Sequence, residues 1–386
     1  MREHQGQGRR PGRGGATPRR GGELGRLGDP PPARDPGRLQ RDLRPLDLRR
    51  LHPRRRGRDA DPSGARLAAR GLDHRGPRAS PAVSGAASPA RPVRRVVAHL
   101  SDPHVLWAPG RRPPWWTFLN KRVLGGLNLL LKRRHPVAQF EAALDDIAAD
   151  PPDALVVTGD LSNLAYAAEF ERARDLLLGC GVPPERVVVI PGNHDAYTRG
   201  SVRRRAFERG LAPFLAAEPV RWPRFLLLDE ILLAATSSAV PTPWFTAYGR
   251  LGAEQLEALR EGLAAPATAR VVLVHHPPLQ ANGRPDHRWR GNRDGARLLE
   301  LCHEAGVDLL LCGHTHRRFQ YRTPEGLRIV CAGSVTQPPR ALGEAGTYHR
   351  YIFEGGRPTA IETRAFDPER RAFCAYEGIV LGAGAS

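Results

Sequence analysis

The chain is short of the features that mark secreted and membrane-spanning proteins. Its 386 residues include five cysteines, Cys180, Cys302, Cys312, Cys331 and Cys374, an odd number with no CxxC pair. That pattern argues against a disulfide framework or a zinc knuckle and for reduced thiols. Cys312 reads as a small buried core residue rather than a ligand. No stretch approaches the roughly 18 apolar residues of a spanning helix, and the N-terminus lacks the apolar core of a secretory signal. The expectation is a cytoplasmic protein. Lysine is nearly absent: Lys121 and Lys132 are the only two among 59 basic residues. Arginine supplies the rest, which points to a GC-rich coding sequence more than to selection for phosphate contacts. Despite a net charge of +19, no dedicated nucleic-acid binding is expected.

The charge is also unevenly placed. Residues 1–90 hold 21 Arg, no Lys and nine acidic residues amid abundant Gly and Pro, with few clustered apolar side chains. Such a segment cannot bury enough surface to offset its ordering entropy and is expected to be a disordered extension. A folded domain is expected over 91–370, with a C-terminal tail over 371–386. Within the domain, residues 105–136 read as an insertion. Its part at 111–134, RRPPWWTFLNKRVLGGLNLLLKRR, places Trp116, Leu119, Val123, Leu127 and Leu130 at helical spacing beside basic residues. A basic amphipathic helix with Trp near one end suits a peripheral membrane contact or a lid; the plainer reading is a helix packed on the core.

Five short apolar runs organise the remainder, each ending in a polar loop. Val96 to Leu100 leads into Ser101-Asp102-Pro103-His104, and Ala154 to Thr158 into Gly159-Asp160-Leu161-Ser162-Asn163. Arg186 to Ile190 leads through Pro191 into Gly192-Asn193-His194-Asp195. Arg270 to Val274 leads into His275-His276-Pro277-Pro278, and Asp308 to Cys312 into Gly313-His314-Thr315-His316. β-Branched runs broken by Gly or Pro read as buried strands feeding tight loops, and the C-terminal edge of an α/β sheet is where ligands usually bind. Asp, Asn and His are the residue types that hold divalent metals, so the five loops read as one metal site built from strand ends. Amphipathic helices are expected at Val137 to Ala149, Ala165 to Leu178, Gly252 to Leu263 and Asp294 to Ala305, alternating with the strands as in an α/β fold. Phe225 to Leu228 and Ile231 to Ala235 read as a hairpin. Four strands after His316 read as a second, largely antiparallel sheet.

Seven candidate ligands, Asp102, His104, Asp160, Asn193, His275, His314 and His316, are too many for one tetrahedral site with an open position, so two ions are expected. The ordered set DxH, GDxxxN, GNHD, HHPP and GHTH resembles the calcineurin-like metallophosphoesterase superfamily over residues 94–336. The resemblance implies a four-layer αββα sandwich of two mixed sheets and a dinuclear centre of Mn, Fe or Zn. It further implies that Asp160 bridges the ions, that Asp102, His104 and His316 complete one site, and that Asn193, His275 and His314 complete the other. His275 is favoured over His276 because related motifs place the ligand two residues before the proline. His194 would protonate the leaving alkoxide or hold phosphoryl oxygens. Asp195 would orient His194 or a ligand rather than bind metal, and the two form the catalytic pair. Hydrolysis by a hydroxide between the ions would follow.

GNHD and GDLSN differ from the GNHE and DRG segments of serine/threonine protein phosphatases. Tyr166 stands too far from Asp160 to match the metal-binding Tyr of purple acid phosphatases. The set looks most like the bacterial cyclic-nucleotide phosphodiesterase branch, so a phosphodiesterase acting on a phosphoester such as a cyclic nucleotide is expected. A membrane-surface hydrolase of a lipid-linked phosphate or pyrophosphate is the alternative, and a non-catalytic scaffold is disfavoured because all seven ligand positions and His194 are present.

Overall fold

A computed structural model describes residues 92–106, 121–123, 136–215, 219–338 and 345–381. The expected disordered extension and nearly all of the expected amphipathic segment at 111–134 lie outside these residues.

The first strand, β1 (Arg94–Leu100), pairs in parallel with β2 (Ala154–Val157), which pairs in parallel with β3 (Val187–Val189). Helices α1 (Val137–Ala149) and α2 (Ala167–Leu178) make the crossovers between them. Period-two alternation explains why β2 is apolar throughout. Leu155 and Val157 face Phe140, Leu144, Ile147, Phe170 and Leu177 of the two helices, whereas Ala154 and Val156 face the other sheet. Strands buried on both faces read as continuous apolar runs. All four β2 residues are fully buried.

The second sheet is built in the same way. The hairpin β4 (Arg224–Leu228) and β5 (Ile231–Ala235) precedes the parallel run of β5, β6 (Ala269–Leu273) and β7 (Leu309–Cys312). Its outer face packs on α5 (Ala253–Leu263) and α6 (Gly295–Glu304) through Leu256, Leu259, Leu298, Leu301 and Cys302. Two short helices, α3 (Arg199–Arg203) and α4 (Ala206–Gly210), follow the GNHD loop. Between the sheets, Val97, Val156, Val188 and Ile190 meet Leu233, Val271, Leu309, Leu311 and Val330. The layers are helix, sheet, sheet, helix, as the αββα expectation requires.

The strands after His316 do not form a sheet of their own. β8 (Arg318–Arg322) and β9 (Arg328–Ala332) extend the second sheet, with β9 parallel to β7. β10 (Thr347–Glu354) crosses to the first sheet and pairs antiparallel with β1, followed outward by β11 (Arg357–Asp367). Each half-sheet offered an open edge, at β7 and at β1, and the late strands satisfy those unpaired backbone groups. Residues 371–386, set apart in sequence as a tail, contain β12 (Ala372–Val380), the edge strand on β11. Its alternation is weak because it is mostly exposed. Among the described residues no helix is long and apolar enough to cross a membrane.

Candidate metal centre

The five polar loops emerge from β1, β2 and β3 of one sheet and β6 and β7 of the other, at the seam between them. The first two loops run side by side past their strand ends: the amides of Asp102, His104 and Val105 donate to the carbonyls of Gly159, Asp160 and Leu161. This continuation of the β1/β2 ladder puts Asp102, His104 and Asp160 in register. Asp102, His104, Asp160, His314 and His316 all have left-handed backbones, with φ between 44° and 70°. Non-glycine residues there cost on the order of 1 kcal/mol each and persist where the surroundings dictate them.

Close packing also explains the glycines. A Cβ on Gly192 would lie 2.2 Å from Asp160 Oδ1, and one on Gly313 would lie 2.0 Å from Ser101 Oγ and 2.5 Å from Asp102 Oδ2. The G in GNHD and GHTH therefore lets a neighbouring loop reach the site.

Two groups of side chains converge. In the first, His104 Nε2 lies 2.9 Å from His316 Nε2, 3.9 Å from Asp102 Oδ1 and 3.8 Å from Asp160 Oδ2, and His316 Nε2 lies 3.3 Å from Asp102 Oδ1. Ligands about 2.1 Å from a tetrahedral ion stand roughly 3.4 Å apart, so this spacing suits a metal. In the second, Asn193 Oδ1 lies 3.1 Å from His275 Nε2 and 2.8 Å from His314 Nδ1. Asp160 Oδ2 lies 3.5 Å from His275 Nε2, so its carboxylate stands between the groups. Among the described residues buried Asp160 Oδ2 has no hydrogen-bond partner, and a cation would satisfy it. All seven candidate ligands are thus brought together.

The two adjacent histidines differ in their partners. His275 Nδ1 is held by the Thr158 carbonyl at 2.7 Å, which leaves Nε2 facing Asp160 and Asn193. His276 belongs to a cluster with His275 and His314, yet both its nitrogens are occupied. Ser238 Oγ lies 2.8 Å from Nδ1, and Nε2 donates to the Ala247 carbonyl at 3.1 Å.

Electrostatics favour an ionised centre. Burial opposes the charge on Asp160, but His275, His194 and His104 outweigh it and hold this carboxyl well below its usual range. Burial also disfavours charge on His275, yet Asp160 raises it to about 10. Burial lowers His276 and His314.

His194 stands beside the first group, its ring 4.6 Å from that of His104 and edge-on to it. Its Nδ1 is fixed by the Asn163 carbonyl at 2.7 Å and its amide donates to Asp160 Oδ1 at 2.7 Å. Asp195 does not touch that ring. Its buried carboxylate accepts from the amides of Leu161, Ser162 and Gly192 and from Ser162 Oγ, at 2.8–3.1 Å, tying the GNHD loop to the GDLSN loop. Burial and the charge of Asp160 push it up to about 7 despite these donors. Of the two orientations expected of Asp195, its contacts match the one toward a ligand, joining the loops that carry Asp160 and Asn193, while the Asn163 carbonyl holds the His194 ring.

Several supporting groups escape a reading of motifs. Ser334 and Thr336 hydroxyls donate to the Asp102 carbonyl, at 2.8 and 3.2 Å. His99 bonds Thr158 Oγ1 at 2.9 Å, steadying the residue whose carbonyl holds His275. The Gly333-Ser334-Val335-Thr336 stretch after β9 offered a signal, two hydroxyls at alternating positions behind a strand. His99, inside an apolar run, offered none. Arg122 is buried, donates to the carbonyls of Leu164 and Ala165 and stacks 4.3 Å from Tyr166. Nearby, Glu169 accepts from the amides of Leu164 and Tyr166, and burial pushes it up to about 8.

Comparison with known proteins agrees with this geometry. A probable cyclic nucleotide phosphodiesterase of Synechococcus sp. is 31% identical over 46% of this chain and 63% of its own length. The glycerophosphodiester phosphodiesterase GpdQ of Enterobacter lignolyticus is 28% identical over 66% of this chain and 82% of its own. The chain thus spans just under two thirds of the first of these. A dimetal phosphatase from Danio rerio shares the fold at a TM-score of 0.52 and 12% identity, over 75% of this chain and 98% of that one. The profile of the calcineurin-like phosphoesterases matches residues 95–318, more than half of the chain, and the chain belongs to that family.

Proposed function

We propose that the chain is a metal-dependent phosphodiesterase that holds two divalent ions and hydrolyses a diester of the cyclic-nucleotide class in the cytoplasm. The observation that carries this reading is the Asp160 carboxylate, set between a group of Asp102, His104 and His316 and a group of Asn193, His275 and His314. Those residues would hold the ions, with Asp160 shared. Bound divalent ions would supply a water of lowered pKa and neutralise charge on the phosphoryl oxygens. A neutral Asn among the ligands keeps the centre from repelling an anionic substrate.

The protein groups divide the remaining work. His194, with Nδ1–H held by the Asn163 carbonyl, presents Nε2 toward the substrate. As an imidazolium it donates the Nε2 proton to the departing alkoxide and becomes neutral, which avoids releasing a strongly basic oxygen. Asp195 keeps the loop carrying Asn193 and His194 against the loop carrying Asp160. Thr158 and Asn163 fix the rings of His275 and His194 through backbone carbonyls, so neither ring must reorganise as charge develops.

Relatives named as cyclic nucleotide phosphodiesterases support a diester substrate, as does one named for glycerophosphodiesters. The test is turnover of the Mn-, Fe- or Zn-loaded protein on bis-p-nitrophenyl phosphate, p-nitrophenyl phosphate and cyclic AMP, with and without lipid vesicles. Diester turnover that is indifferent to vesicles and falls at least a hundredfold in Asn193→Ala is expected. Absence of turnover with every metal overturns the reading, and turnover confined to vesicle-borne substrates moves it to a lipid-linked phosphoester.

A further inference from the structure

A cavity of about 450 Å³ lies beside α2, α3 and α4, lined by Arg122, Arg174, Arg204 and Arg209, with Tyr166 and Glu171 on its wall. It is separate from the metal ligands, none of which lines it. Small residues, Ala165, Ala167, Ala206 and Gly210, make room between the arginines.

The charge there is poorly compensated. Several arginines elsewhere are paired with carboxylates: Arg95 with Asp153 and Asp229, Arg172 with Glu141, and Arg318 with Glu377. Arg174 is likewise paired with Asp175. Among the described residues neither Arg204 nor Arg209 has such a partner, and Glu171 is the lone carboxylate on the wall. The charge of Arg204 is felt at buried Arg122. The stretches of chain on either side of Lys121–Val123, residues 107–120 and 124–135, contain no Asp or Glu.

We propose that this cavity binds a phosphorylated small molecule carrying at least two negative charges, gripped by the guanidinium groups of Arg204 and Arg209. Planar guanidinium groups match phosphate oxygens in pairs, and the volume falls within the range of small-molecule sites. The site is wired to the metal centre by backbone. Arg122 holds the carbonyls of Leu164 and Ala165, and the preceding residue, Asn163, holds the ring of His194. The proposal does not depend on the substrate assigned above.

The probe is ADP, with adenosine as the uncharged control, titrated calorimetrically into full-length protein carrying Asp160→Asn to suppress binding at the metal centre. ADP should bind, more weakly as salt rises, and adenosine should not. Adding Arg204→Gln and Arg209→Gln should weaken ADP at least tenfold. Both side chains are exposed, so folding should survive, and in an otherwise wild-type chain the same pair should leave diester turnover within twofold. Failure of ADP to bind below about millimolar concentration, equal binding of adenosine, or unchanged affinity in the double variant each overturns the proposal. Loss of turnover together with binding assigns the arginines to the catalytic centre and overturns it as well.

Discussion

Asp195→Ala separates two roles a carboxylate can play beside a metal centre. The substitution removes the acceptor for three backbone amides, those of Leu161, Ser162 and Gly192, while the Ser162 hydroxyl can turn to the His194 carbonyl, already 3.4 Å away. Each buried amide left without a partner costs about 1–2 kcal/mol. Removing a carboxyl that burial has pushed up to about 7 returns part of that, for a net loss of about 3 kcal/mol. In a domain of this size that lowers Tm by roughly 6–12 °C. Asp195→Asn should fall between, since its amide oxygen still accepts from two donors while its NH2 faces a third. Urea and thermal unfolding of both variants, with turnover measured on the same samples, make the comparison. A Tm within 2 °C of wild type alongside abolished turnover would refute the positioning role and make Asp195 a participant in the chemistry.

The adjacent histidines should part company in the same way. His275→Ala should lose at least tenfold in metal affinity, read by metal content after dialysis. His276→Ala should keep its metal but lose about 2 kcal/mol of stability, from the stranded Ser238 hydroxyl and Ala247 carbonyl. Glu169 makes stability depend on pH. Its folded pKa is raised from 4.5 to about 8, so the favourable protonated form is fully present below 4.5, and its contribution is lost as pH rises toward 8. Stability should fall by about 1.4 kcal/mol per pH unit within that window. Glu169→Gln, whose amide oxygen can still accept from Leu164 and Tyr166, should remove that slope. A slope unchanged by the substitution would place its origin elsewhere.

The site was legible because its chemistry is local in sequence while its assembly follows from general rules of topology. Each ligand sits within a few residues of an apolar run, and parallel strands bring their C-terminal ends to one edge. What escaped were the contacts between loops. Nothing in GNHD distinguishes an Asp that orients an imidazole from one that gathers amides, because the distinction depends on how closely Gly192 lets the loop approach Asp160. The choice between His275 and His276 turns on Thr158 and Ser238, far away in sequence. The late strands were misgrouped for a related reason: β9 and β10 have similar patterns, and only the two open edges at β7 and β1 decide their separation. Edge strand β12 was missed because one solvent-facing side and two flanking arginines make it resemble a tail.

Of the non-glycine residues with left-handed backbones among those described, half are Asp102, His104, Asp160, His314 and His316. Glycine would adopt those conformations at less cost. In a duplicate of this chain freed from catalysis, drift to Gly at His104, His314 or His316 would relieve backbone strain, whereas Asp102 and Asp160 would still be held by the amides of His314 and His194. Continued demand for the reaction is then what keeps the three histidines in place.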